Sequence, residues 1–388
     1  MHSTPPNTDF SSLSLSPTLL TAIHQIGYTQ PTPVQTQAIP AILLGKDLRA
    51  KAQTGSGKTA AFGLPLLQKI LQNREQPKAM TQGNPIEILI LAPTRELTLQ
   101  IGEALTHYAN SITPRLKIHS VFGGVNITPQ MLALRGGADI LVATPGRLLD
   151  LVEHNAVNFA HTKTLVLDEA DRLLHLGFSD ELAKIIHLLP KKRQNLLFSA
   201  TFPPELDHLV AQLLVQPINI DCIAPTESLI QQRVITVTQE RKNALLAHLI
   251  HEGNLQQVLV FANAKNTCNR LVLKLAKAEI NATALHSDKS QAARNKALND
   301  FKQGKCRVLI ATDVAARGID IEQLATVINF DLPRSPNDYI HRIGRTGRAG
   351  QNGQAISLIS EEDVAHFKLI EKRMKIRLER EYIDTFST

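Results

Sequence analysis

Short runs of uninterrupted apolar residues alternate with helical stretches along the whole chain. In the first half the runs are Ile86–Leu91, Ile140–Val142, Leu165–Leu167 and Asn195–Phe198. In the second half they are Val234–Val237, Val258–Phe261, Val308–Ile310, Val327–Asn329 and Ala355–Ile359. A strand with one face in water alternates polar and apolar residues, whereas a strand that is apolar throughout is covered on both faces. The runs therefore predict parallel sheets with helices on both sides, the doubly wound α/β class. Asp221–Gln232 is polar, contains a proline and lacks periodicity, so it reads as a linker. It divides the chain into a domain over 1–222, a linker over 223–232 and a domain over 233–388. Asn73–Pro85, rich in Gln, Pro and Gly, predicts a surface loop. His366–Tyr382 interleaves six Lys/Arg and three Glu with Phe367, Leu369, Ile370, Met374 and Ile376, which predicts a basic amphipathic helix closing the second domain.

A length of 388 residues is comfortable for two domains, each burying its own core. No apolar run approaches the about 18 residues of a membrane span, and the polar segment Met1–Asn7 lacks the regions of a signal peptide. The three cysteines, Cys222, Cys268 and Cys306, lie far apart and show no metal-ligand spacing. That count points to packing thiols in a reducing compartment, hence a cytoplasmic protein with no membrane attachment. Net charge is +7. Up to Cys222 there are 18 Lys+Arg against 17 Asp+Glu, or +1; beyond it there are 24 against 18, or +6. The basic excess sits in the second half and is compatible with a polyanionic partner or with ordinary solubility.

Chemistry enters at Ala52-Gln-Thr-Gly-Ser-Gly-Lys-Thr59. Glycines here let backbone N–H groups converge on phosphate oxygens at a helix N-terminus. Lys58 supplies a charge for the β- and γ-phosphates, and Thr59 an oxygen for Mg²⁺. Gly55, Ser56 and Gly57 complete the cradle, with Ala52 standing where the strict consensus has Gly. Asp168-Glu-Ala-Asp171 directly follows Leu165–Leu167. An acidic pair at the C-terminal end of a buried parallel strand lies where such sheets hold their ligands. Asp168 can hold Mg²⁺, and Glu169 can orient and deprotonate the attacking water. Alone, an acidic helix start is more often a partner for the helix dipole; the upstream phosphate loop reverses that preference.

On these residues the chain resembles the DEAD-box RNA helicases, and Asp168–Asp171 is their namesake tetrad. The resemblance covers nearly the whole chain and implies two tandem RecA-like domains joined by a short linker. Gly27-Tyr-Thr-Gln-Pro-Thr-Pro-Val-Gln35 is similar to the family's Q motif, with Phe10 upstream. By resemblance Gln35 reads the adenine edge, Tyr28 stacks on the base and Phe10 belongs to the same site. Pro93-Thr94-Arg95, Gly123-Gly124 and Thr144-Pro145-Gly146-Arg147 match RNA-backbone motifs; small residues, hydroxyls and Arg suit a phosphate backbone. Ser199-Ala-Thr201 resembles the motif coupling hydrolysis to strand separation, through Asp171 and His341. In the second half, Gln291–Arg294 resembles the QxxR motif, with Arg294 toward RNA. Ala311–Asp320 resembles motif V, with Thr312 near RNA and Asp320 near the ribose. Tyr339–Arg348 resembles motif VI, in which Arg345 and Arg348 act as arginine fingers.

The resemblance implies an ATP- and Mg²⁺-dependent enzyme, an RNA-stimulated ATPase that locally opens short duplexes or remodels ribonucleoprotein. Its RNA partner is a single strand or short duplex, recognised largely through the backbone, and proteins of ribosomal-precursor or RNA-decay pathways are candidate partners of a monomer. Details of the first domain are most similar to the bacterial RhlE-like group. Ser287 in His286-Ser-Asp288, where Gly is usual, and Leu174-His-Leu176 after the tetrad depart from the common pattern. A DNA helicase of the same superfamily is the nearest alternative, and an RNA clamp with little turnover is one of another class. A P-loop kinase or transporter ATPase leaves the second domain unexplained.

Overall fold

The computed structural model describes residues 9–53, 55–74, 84–222, 230–316, 324–347 and 352–383. The chain forms two compact units, Met1–Ala224 and Pro225–Thr388. In the first, the strands are β1 (Leu48–Lys51), β2 (Ile86–Leu91), β3 (Ile118–Val121), β4 (Ala138–Ala143), β5 (Thr164–Leu167), β6 (Gln194–Ser199) and β7 (Ile218–Asp221). The helices between and before them are α1 (Pro17–Gln25), α2 (Pro33–Leu43), α3 (Lys58–Arg74), α4 (Arg95–Tyr108), α5 (Thr128–Ala133), α6 (Pro145–Glu153), α7 (Ala170–His175), α8 (Ser179–Leu188) and α9 (Pro204–Leu213). All pairings are parallel, in the order β3-β4-β2-β5-β6-β1-β7.

The second unit repeats the plan. Its strands are β8 (Ile230–Thr236), β9 (Val258–Phe261), β10 (Ala282–Leu285), β11 (Val308–Ala311), β12 (Thr326–Asn329), β13 (Gly353–Ile359) and β14 (Arg380–Tyr382). Its helices are α10 (Lys242–Glu252), α11 (Lys265–Lys277), α12 (Gln291–Lys302), α13 (Asp313–Ala316), α14 (Pro336–Ile343) and α15 (Val364–Met374). The seven strands run parallel in the order β10-β11-β9-β12-β13-β8-β14.

The apolar runs are apolar because both faces are covered, and the period of two shows in where each residue goes. Ile88 and Ile90 pack into the cluster on one face of the first sheet, Leu89 and Leu91 into the other. Val166 and Phe198 share the first face; Leu165, Leu167 and Leu197 share the second. In the second unit Val258, Val260 and Ile310 face one cluster, while Leu259, Phe261 and Leu309 face another. Each unit is thus a doubly wound sheet with its own two-sided core, the expected fold class.

The structure differs from the sequence reading at three places. Asn73 and Arg74, read as loop, are the last residues of α3; residues 75–83 of that expected loop lie outside those described. β8 begins at Ile230, so Ile230–Gln232, read as linker, are strand; residues 223–229 lie outside those described. The expected helix over His366–Tyr382 ends at Met374, where Lys375 turns left-handed at φ 56°. The chain then doubles back, and Arg380–Tyr382 joins the sheet edge beside β8. Charge pairs explain the change. Arg380 bridges Glu371 at 2.9 Å, the Leu378 N–H donates to the same carboxylate at 2.9 Å, and Glu381 pairs with Arg233 at 2.6 Å. A run that looked like one helix face is divided between a helix and an edge strand, with Arg380 reaching back to Glu371 of α15 and Glu381 reaching Arg233 of β8. Among the described residues, no helix is long and apolar enough to cross a membrane.

Candidate active site

In a parallel sheet every strand ends on the same edge, and ligands bind there. The first unit's motifs occupy that edge. The phosphate loop follows β1, the Pro93–Arg95 turn follows β2, Gly123 and Gly124 follow β3, Thr144 follows β4, Asp168 follows β5 and Ser199 ends β6.

Lys58 begins α3, is buried, and its Nζ donates to the Ala52 carbonyl at 3.1 Å. Gly55 and Gly57 both take positive φ, 81° and 88°. At Gly57 the requirement is double, since an added Cβ would also collide with the Gln35 amide. Gln35 is tied directly to the loop: its Nε2 donates to the Gly57 carbonyl at 3.1 Å, and its Oε1 accepts the Thr32 N–H at 3.0 Å. The Thr32 hydroxyl donates to the Ser56 carbonyl at 2.8 Å. The cap of α2 thus doubles as a brace for the phosphate loop. Phe10 is buried, with its ring stacked 6.4 Å from Tyr28, and Tyr28 is partly exposed. The Tyr28 hydroxyl lies 3.2 Å from that of Tyr108.

The tetrad is buried. Burial pushes the Asp168 carboxyl up to about 6, against the opposing pull of Lys58, with Glu169 and Asp171 adding repulsion. Its Oδ1 accepts the Glu169 N–H at 2.9 Å. Glu169 sits at φ 49°, ψ 51°, a left-handed conformation that costs a non-glycine residue about 1–3 kcal/mol and collects at functional sites. Its carboxylate is paired with Arg172, one turn on, and both side chains are buried. Arg172 Nη2 is buried without a hydrogen-bond partner. Nothing in the sequence reading singled out Arg172, although an Arg three residues past an acidic helix start is a recognisable pairing distance. Asp171 joins Ser199 and Thr201: its N–H donates to Ser199 Oγ at 3.1 Å, while Thr201 N–H and Oγ1 donate to its carboxylate at 2.9 and 2.6 Å.

One consequence concerns stability. A carboxyl near 6 in the native state and near 3.8 unfolded keeps its proton longer when folded, so stability falls as pH rises between those values. Asp168→Asn therefore stabilises the nucleotide-free protein at pH 7, by on the order of 3 kcal/mol for the first unit at 1.36 kcal/mol per pH unit. The gain disappears below about pH 4. Thermal unfolding of both proteins at pH 7 and pH 4 checks it; an unchanged or lowered melting temperature at pH 7 refutes it.

A second cluster gathers beside the first. Gly124, at φ 75°, leaves room for the Arg95 guanidinium, into which a side chain there would project. Thr94 caps α4, accepting the Leu97 N–H at 3.3 Å. Arg147 donates from Nη2 to the Val125 carbonyl at 2.8 Å and from Nε to Asp150 at 3.3 Å, while its Nη1 is buried without a partner. Pro145 and Gly146 open α6 after Thr144. Three separate sequence motifs, with Pro93 at the first turn, thus converge around Arg95, Gly124 and Arg147.

In the second unit Thr312, buried, directly follows β11, and Arg294 is buried on α12, which Ser290 caps. His286 Nε2 lies 3.0 Å from Asn269 Oδ1, and Asp288 pairs with Lys265 at 2.6 Å. His341, partly buried, and buried Arg345 lie at the end of α14. Asp320 and Arg348 lie outside the described residues. The residue that organises this unit is Arg342, to which the sequence reading gave no role. All five of its N–H groups are used: Nε and Nη2 on the Asp313 carboxylate, both at 2.6 Å; Nη1 on Asn329 and the Asp331 carbonyl, at 3.2 and 2.6 Å; and Nη2 also on Asn263, at 2.9 Å.

Known proteins match this arrangement. Residues 32–209 match the family described as DEAD/DEAH box helicase, and residues 241–350 the helicase conserved C-terminal domain. The chain is 38% identical over 374 residues to the ATP-dependent RNA helicase CshA of Listeria monocytogenes, covering 96% of this chain and 70% of that protein. It is 39% identical over 373 residues to the DEAD-box ATP-dependent RNA helicase CshA of Bacillus subtilis, covering 96% and 73%. Among solved structures, Saccharomyces cerevisiae Dbp5 bound to RNA and ADP BeF3 aligns with a TM-score of 0.81 at 30% identity, over 97% of this chain and 96% of that one. A DEAD box protein from Methanococcus jannaschii aligns at 38% identity and a TM-score of 0.55, over 96% and 99%.

Proposed function

The chain belongs to the DEAD-box ATP-dependent RNA helicases, and on that premise we propose how its own residues divide the work. It is an RNA-stimulated ATPase that uses ATP to unwind RNA. The observation that carries the assignment is the single sheet edge holding Lys58, Asp168 and Glu169 beside the Asp171–Ser199–Thr201 network.

Residues 1–222 are the ATP-binding domain, and the C-terminal helicase domain runs from the start of β8, 230–388. Gly55, Ser56, Gly57, Lys58 and Thr59 hold the phosphates, and Gln35, Tyr28 and Phe10 form the adenine end. Gln35 would report base occupancy to the loop through its bond to Gly57. An oxygen-only pair, Thr59 and Asp168, suits Mg²⁺, which takes few protein ligands and otherwise phosphates and water; bound there, the ion neutralises charge on the phosphates. Lys58 beside Asp168 favours the carboxylate the ion needs. Glu169 orients the attacking water and accepts its proton, and Arg345 and Arg348 supply positive charge to the transferring phosphoryl group. Asp320 contacts the ribose. Asp171, Ser199, Thr201 and His341 couple nucleotide state to RNA.

Pro93, Thr94, Arg95, Gly123, Gly124, Thr144, Pro145, Gly146, Arg147, Arg294 and Thr312 contact the RNA backbone. The buried, unpartnered Nη1 of Arg147 supports this, because a phosphate oxygen would satisfy it. Recognition is largely independent of sequence: with no Trp and 4% aromatics, stacking platforms are scarce. We further read the enzyme as a cytoplasmic monomer of the RhlE-like group, working beside ribosomal-precursor or RNA-decay proteins. The RhlE-like reading rests on first-domain detail, while the relatives named above are called CshA.

Steady-state ATPase assays without nucleic acid, with single-stranded RNA and with single-stranded DNA test the reading. Strong stimulation by RNA alone is expected, with RNA affinity falling by about 0.7 log unit per phosphate contact for each log unit of salt. Equal stimulation by DNA, or RNA affinity that ignores salt, would overturn it.

A further inference from the structure

The opposite edge of the first sheet carries a feature that ATP and RNA chemistry leaves unused. Where β1, β6 and β7 begin, about 13 Å from the phosphate-loop edge at 3.3 Å per residue, the turns before the three strands and the end of α8 enclose an open cavity of about 610 Å³. Lys46, Lys191 and Arg193 line it, with His187 beside them.

One carboxylate, Asp47, shares the cavity, but its oxygens are engaged. They accept the Asn195 N–H and the Val215 N–H, both at 2.8 Å, and so hold the strand starts together. Arg193 is anchored by Nε to Asn195 at 2.8 Å and by Nη1 to the Pro190 carbonyl at 2.7 Å. Among the described residues, neither Lys46 nor Lys191 takes part in an ion pair. Three cations against one carboxylate leave a net charge of +2 with His187 neutral.

The rim is apolar. Val215 and Leu44 are each 75% exposed and Leu188 44%, and they are neighbours in sequence of the cavity-lining Gln216, Gly45 and His187. A cationic floor bordered by exposed aliphatic side chains suits one class of ligand. An RNA backbone would neutralise the lysines but leave the aliphatic rim without a partner, and no Phe, Tyr or Trp lines the cavity for a base to stack on. A small inorganic anion likewise ignores the rim. We propose that this surface docks an acidic segment of a partner protein that carries apolar side chains between its carboxylates: carboxylates on Lys46, Lys191 and Arg193, aliphatic groups on Leu44, Leu188 and Val215. The charges steer encounter and the buried aliphatic area holds the complex. The proposal is independent of the roles assigned to the ATP and RNA residues.

The test uses the full chain and a fluorescein-labelled peptide rich in Glu and Asp with interspersed leucines, followed by anisotropy. Saturable binding is expected, weakened about tenfold or more by Lys46→Glu combined with Lys191→Glu, and weakened independently by Val215→Ser. These side chains are exposed and anchor no strand, and the variants should keep full RNA-stimulated ATPase activity. Saturating single-stranded RNA should not displace the peptide. The idea falls if the wild-type chain shows no saturable binding, or if the charge-reversed variant binds equally well. It falls equally if a peptide of Glu and Asp without leucines binds as tightly, or if RNA displaces the peptide, which would assign the surface to nucleic acid.

Discussion

Glu169→Gln should lower RNA-stimulated ATP turnover by about 10²–10⁴-fold, the contribution of a positioned general base, while ATP binding persists. Glutamine keeps the size of the side chain and an oxygen that can still accept from Arg172, but it cannot take a proton from water. The structure makes this position more demanding than a simple acidic residue. Glu169 is held left-handed, buried, and paired with Arg172, so the protein maintains a strained conformation to keep one carboxylate at the strand end. The unpartnered Nη2 of Arg172 offers a further donor in the same place. Turnover at saturating ATP and RNA, measured alongside binding of a fluorescent nucleotide, decides the matter. Residual turnover within tenfold of wild type would remove Glu169 from the role of base; loss of nucleotide binding as well would make its role structural.

Arg342→Ala should unfold the second unit at markedly lower denaturant or temperature than wild type, by about 3–5 kcal/mol, the cost of breaking one side of a buried ion pair. Arg342 is 1% exposed and lies over the Phe261 ring, 4.9 Å from its centroid. Its loss strips the Asp313 carboxylate, Asn263, Asn329 and the Asp331 carbonyl of their common donor. Those groups sit at or just beyond the ends of β9, β11 and β12, so the guanidinium ties together three strand ends and α14. Lysine would not replace it, because an ammonium group has three donors and no fork to grip Asp313 bidentately. Because Thr312 and Arg345 are carried on the same segments, RNA-stimulated ATPase should fall with stability. Denaturant unfolding of Arg342→Ala and Arg342→Lys, followed by a probe in the second unit, checks this; a change under about 1 kcal/mol would mean the network is dispensable.

The acidic tetrad, the glycine-rich loop and the apolar runs were legible because each is a local statement. Gly57 next to Lys58, or a carboxylate pair directly after Leu165–Leu167, fixes its chemistry through neighbours only a few bonds away. The strands buried on both faces announced themselves in the same way. Those that escaped notice, β1, β3, β7, β10 and β14, are short, and their polar residues hide the signal. Leu48–Lys51 alternates buried and partly exposed positions, yet it lies between β6 and β7; its place depends on pairing with strands over a hundred residues away. The same holds for the C-terminal segment, whose helical appearance yielded to ion pairs with Glu371 and Arg233. Arg172 on Glu169, Gln35 on Gly57 and Arg342 on Asp313 share that origin. A side chain's residue type states what it can bond, and its local spacing states which secondary element carries it. Which partner it meets is set when burial withdraws water and leaves each polar group to find whatever the packed sheet has brought beside it.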